Sequence, residues 1–71
     1  MDKSVIKTEY QLEKEARELA IYNDWNELME QPGAMASAVE THLMKKYNIH
    51  AKSTIWFSRK RTEERLKEGN L

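Results

Sequence analysis

Pro32-Gly33 is the one strong interruption in a chain whose residues otherwise suit a helix almost throughout. Proline lacks an amide hydrogen and fixes φ, and glycine frees the backbone next to it, so a helix arriving there stops. The other glycine, Gly69, stands near the end of the sequence. Elsewhere strong helix formers dominate, and no stretch alternates apolar and polar residues as a half-buried strand would. The expected fold class is all-α, with three main helices: a long, acidic first helix before the break and two helices after it.

The first helix is predicted over about residues 5–30. Thr8-Glu9-Tyr10-Gln11 has the spacing of a capping box, in which a hydroxyl and a side chain three residues on satisfy free amides at the helix start. At about 100° per residue its apolar side chains form two stripes rather than one. Val5, Leu12, Ala16 and Leu19 share one side, and Ile21, Tyr22, Trp25, Leu28 and Met29 lie nearly opposite. A straight helix with two such stripes needs a second surface to cover the first of them. Either the helix bends near Asn23-Asp24, or residues 1–20 are an association arm, with a homodimer formed through Val5, Leu12 and Leu19, which recur at heptad spacing; the arm is the reading taken here.

After the break, Ser37-Ala38-Val39-Glu40 also has capping-box spacing and is expected to open a second helix with Val39, Leu43, Met44 and Tyr47 facing inward. Asn48 should end it, because asparagine adopts the left-handed conformation more readily than other residues with a side chain. Ile49 then serves as a buried anchor, His50, Ala51 and Lys52 connect, and Ser53 is expected to cap a third helix running to about Glu68. On that helix Ile55, Thr62 and Leu66 are expected inward, flanked by Ser58 and Arg59. Trp56 and Phe57 are expected to pack against the first helix or another copy, since small proteins seldom leave adjacent aromatics uncovered.

The formal net charge is zero, but it hides a division. Residues 1–40 carry nine acidic and four basic residues, a balance of minus five. Residues 41–71 carry eight basic and three acidic ones, a balance of plus five. A basic end of this kind suits phosphates, while an acidic end limits indiscriminate binding. The two ends could equally attract each other, within a chain or between chains.

Two helices joined by a short polar turn are the layout of a helix-turn-helix. The stretch "LMKKYNIHAKSTIWFSRKR" resembles that motif as found in transposases, site-specific recombinases and small regulators of phages and mobile elements. Their typical stretch ends a helix in Lys-Lys-Tyr-Gly-Val and opens the next, after a polar turn, with Ser-Thr-Ile-Tyr. Here Tyr47 matches the last core position of the second helix, Asn48 the turn glycine, Ile49 the anchor, Ser53-Thr54 the start of the recognition helix and Ile55 its first core residue. The resemblance covers residues 37–66; the turn is one residue longer, Met44 stands at a position usually small, and Ser58 at one usually apolar.

The resemblance implies a small DNA-binding protein, a transcriptional regulator or accessory factor of a phage or mobile element, acting on double-stranded DNA as a dimer. Lys52, Ser53, Thr54, Phe57 and Arg61 are the candidates for base edges. Lys45, Lys46, Arg59, Lys60 and Arg65 are the candidates for phosphates, which fix position without reading sequence. The rival expectation is a protein-interaction module anchored by Trp56 and Phe57.

Other chemistry finds little support. There is no cysteine, so disulfides and thiolate metal sites are excluded. His42 and His50 have no ligand partner at metal-binding spacing, and Ser37, Ser53 and Ser58 have no histidine and acid in a nucleophile's order. Acids such as Glu13 have a base four residues away, here Arg17, and need no acid–base role. Neither an enzyme nor a cofactor is expected. No apolar run is long enough to span a bilayer and the first residues lack the features of a secretion signal, so one small cytoplasmic domain over residues 1–71, without a membrane partner, is expected.

Overall fold

The computed structural model describes residues 8–69. It is all-α, with three helices: α1 Glu9–Met29, α2 Ala36–Lys46 and α3 Lys52–Lys67.

Thr8 caps α1, its hydroxyl accepting the Gln11 amide at 3.1 Å. The Gln11 side chain turns forward to Glu15 at 3.5 Å rather than back to Thr8, so the capping box is only half formed. At the far end the Ala34 amide donates to the Gln31 carbonyl at 3.1 Å, with Gly33 at φ 78. Proline second and a positive-φ glycine third are the residues a type II turn requires, which is how Pro32-Gly33 redirects the chain.

The two serine caps expected downstream do not form. The chain is extended at Met35 and Ala51, and these residues, without side-chain capping bonds, stand at the N-caps of α2 and α3. Ser37 and Ser53 already lie in the first helical turns, and the Ser37 carbonyl accepts the Thr41 hydroxyl at 3.0 Å. Both helix starts are exposed, so water can satisfy their free amides without a side-chain cap.

The end of α2 follows the expectation closely. Asn48 has φ 55, the Ile49 amide donates to the Met44 carbonyl at 2.8 Å, and the Asn48 amide to that of Lys45 at 3.4 Å. These are the two bonds of a Schellman motif, and Ile49 and Met44 both pack on the core beside it. The turn over residues 47–51 is thus fixed at its first half by hydrogen bonds and by an apolar anchor.

Ile21, Val39, Leu43 and Ile55 form the buried centre, bordered by Trp25, Leu28, Met29, Met44, Tyr47 and Ile49. The second apolar stripe of α1 therefore faces the core. On α3 the inner face is Ile55, Ser58 and Thr62, all buried, so a small hydroxyl stands within the packed side of the helix. Leu66, expected inward, is 38% exposed: it falls in the last turn of α3, beyond the centre of the core. On the first stripe Leu12 and Leu19 are exposed. Val5 lies outside the described residues.

Candidate functional site

The three arginines of α3 are all engaged with the rest of the fold. Glu18 of α1 is only 3% exposed, yet it carries a carboxylate into the seam with α3. Arg61 donates to its Oε2 through Nε at 2.8 Å and Nη2 at 2.6 Å. Arg65 Nη2 donates to its Oε1 at 3.1 Å and also to the Thr62 hydroxyl at 3.2 Å. Burial alone would raise the Glu18 pKa, but the hydrogen bonds from Arg61 and Arg65, with their charges, bring it below its ordinary value.

Arg59 leaves α3 on the other side. Its guanidinium lies 3.8 Å from the centre of the Trp25 ring, a stacked cation–π contact. Its Nε is buried without a hydrogen-bond acceptor, so the aromatic ring rather than a polar partner fixes the side chain.

A second carboxylate of α1 ties down the end of α2. Asp24 Oδ2 accepts from Lys46 Nζ at 2.8 Å and from the Tyr47 hydroxyl at 2.6 Å. Hydrogen bonds from Lys46 and then Tyr47 lower the Asp24 pKa, while burial and the bond to Asp24 raise that of Tyr47. Glu18 and Asp24 thus attach the acidic half of the sequence to its basic half, which accounts for part of the charge division.

What remains for a ligand is the solvent side of α3 and the neighbouring turn. Lys45, Lys52, Ser53, Thr54, Phe57 and Lys60 are exposed there. Lys45 and Lys52 border one groove of about 530 Å³, together with Met44, Ile49 and His50. Trp56 and Phe57 are 47% and 49% exposed, so the first helix does not enclose them, and of the two covers expected for them another copy is the one left. Within the chain they pack on each other, ring centres 5.1 Å apart and planes at 81°. Lys60 Nζ lies 5.6 Å from the centre of the Trp56 ring and 3.4 Å from Glu63.

Of the residues singled out for base edges, then, Lys52, Ser53, Thr54 and Phe57 are on the open surface, whereas Arg61 is bound to Glu18. Of the phosphate candidates, Lys45 and Lys60 are exposed, Lys46 is tied to Asp24, Arg59 to Trp25 and Arg65 to Glu18. Glu18 was readable as more than another acid on α1: it falls within the stripe of Ile21, Trp25 and Met29, where a carboxylate requires a cationic partner.

Among the described residues no group of three or more His, Cys, Asp and Glu is placed to hold a metal ion, and no helix is long and apolar enough to cross a membrane. No protein-family model, curated protein or solved structure matches the chain.

Proposed function

We propose that the chain is a small DNA-binding helix-turn-helix protein, a regulator or accessory factor of a phage or mobile element, working as a dimer in the cytoplasm. The supporting observation is the exposed face of α3 and its turn, where Lys45, Lys52 and Lys60 stand free of strong ion pairs. The resemblance of residues 37–66 to transposase, recombinase and phage-regulator motifs supplies the class. In this reading Lys45, Lys52 and Lys60 neutralise phosphates, and Ser53, Thr54 and Phe57 approach the bases. Arg59, Arg61 and Arg65 chiefly fix the angle at which α1 supports α3.

Anisotropy titrations of a labelled mixed-sequence duplex test the proposal. Three neutralised phosphates imply a slope of about −3 in log affinity against log salt. The doubly substituted Lys52→Ala, Lys60→Ala chain should lose most of the affinity at low salt while remaining folded. Absence of binding by the unsubstituted chain at low salt would reject the reading.

The exposed aromatic pair favours one alternative, a protein-interaction module with Trp56 and Phe57 as anchors. In that case Trp56→Ala abolishes capture of a purified partner, and the lysine substitutions leave it intact.

A further inference from the structure

We infer that the exposed face of α3 binds unpaired bases, so that the preferred DNA is a duplex interrupted by a short single-stranded gap rather than a continuous duplex. This inference rests on the nucleic-acid reading of α3 and specifies the form of its ligand.

Reading base edges in an intact major groove depends chiefly on side chains that bond a base in two places, arginine or lysine for guanine and asparagine or glutamine for adenine. The arginines of α3 have other partners: Arg59 lies on Trp25, and Arg61 and Arg65 are bonded to the buried Glu18. Helix α3 contains no asparagine or glutamine at all. Its free face keeps lysines and hydroxyls but has no free arginine and nothing to bond adenine in two places.

That face does carry the groups that single strands use. Lys52, Trp56 and Lys60 follow one another at intervals of four residues, which aligns them along one side of the helix. Phe57 stands beside this row with its ring nearly perpendicular to that of Trp56. The two rings make a corner in which a base can stack on one ring and meet the other edge-on. Stacking of this kind is available to any base with an open face, whereas a base within a continuous duplex has both faces covered.

Lys52 and Lys60 are separated by a rise of about 12 Å along the helix. At about 3.4 Å per stacked nucleotide this spans three to four nucleotides. Lys45, across the groove it shares with Lys52, extends the cationic row toward the flanking backbone. A protein partner would meet the same aromatic pair, but the exposed lysines around it favour a polyanion, with single-strand stacking as its aromatic component.

Anisotropy titration of the full chain with three labelled DNAs of matched sequence decides the matter: a continuous duplex, the same duplex with a four-nucleotide gap, and a single strand. The gapped DNA should bind roughly tenfold or more tightly than the continuous duplex, the gain expected from one or two stacked bases. Trp56→Ala should reduce the gapped affinity toward that of the duplex, leaving the duplex value within about twofold. Circular dichroism and the remaining Trp25 fluorescence verify that this variant folds; if it does not, Phe57→Ala alone should remove at least half of the logarithmic preference. Equal or tighter binding of the continuous duplex, or a preference that survives the aromatic substitutions, overturns the inference while leaving DNA binding in place. No binding to any of the three at low salt overturns both.

Discussion

At the scale of single residues, Glu18 has the largest consequences. A carboxylate nearly removed from water is tolerated because two guanidinium groups satisfy both its oxygens. Glu18→Gln keeps the shape but leaves Arg61 and Arg65 without their counter-charge. We expect a loss of about 2 kcal/mol in urea unfolding, less than the ~3–5 kcal/mol of a fully buried pair because Arg61 is 44% exposed. The pH dependence has a definite sign. The folded-state pKa of Glu18 lies below its ordinary value of 4.5, so its contribution is complete above that pH and disappears as the pH falls through the lowered value. Acid unfolding of Glu18→Gln should accordingly be flatter below pH 4.5 than that of the parent chain.

Asn48 is the second such residue. Its positive φ closes the Schellman motif, and alanine there would occupy the left-handed region without the local hydrogen bonding available to asparagine. Asn48→Ala should therefore lower stability by about 1 kcal/mol, and Asn48→Gly should leave it unchanged or slightly raised. Thermal unfolding of the pair checks this.

At the scale of elements, α3 divides its basic residues between the seam with α1 and the open surface. Arg59→Ala removes the cover of the Trp25 ring and should destabilise the fold by about 1–2 kcal/mol while changing nucleic-acid affinity little once the protein is folded. Lys60→Ala should do the opposite, measured by thermal unfolding and anisotropy on the same preparations. The helices themselves are readable from sequence because their signals are local: Thr8 as a cap, Pro32-Gly33 as a stop, Asn48 as an end, and Ile55 and Thr62 seven residues apart on one face. The starts of α2 and α3 are displaced from Ser37 and Ser53 because an exposed helix end can be completed by water, leaving the capping pattern without force. The assignments of Arg61 and Arg65 depend on the carboxylate they share across the seam, at separations of more than forty residues, and periodicity within α3 contains no such information. The open position of Trp56 and Phe57 has the same origin, since the packing of α1 and α2 determines which side of α3 is covered.

At the scale of the whole molecule, the charge division serves two purposes. Asp24 and Glu18 draw part of the basic half onto α1, and the remainder, centred on Lys45, Lys52 and Lys60, stays on the surface. The exposed Leu12 and Leu19 on α1 leave an apolar stripe for which a second copy is the proposed cover. Leu12→Glu, Leu19→Glu should yield a monomer in sedimentation equilibrium where the parent chain gives a dimer, without altering the helical content. A parent chain that sediments as a monomer at tens of micromolar would remove the association arm from the account.

The central claim is that the solvent face of α3, and not its arginine-bearing seam, meets nucleic acid. An amide and indole NMR titration of the isotope-labelled chain with the gapped duplex tests it most directly. The account predicts shifts concentrated at Lys45, Lys52, Ser53, Phe57 and Lys60 and at the Trp56 indole, with the Trp25 indole and the amides around Glu18 unmoved. Shifts centred on α1, or an unchanged spectrum at saturating DNA and low salt, would contradict it.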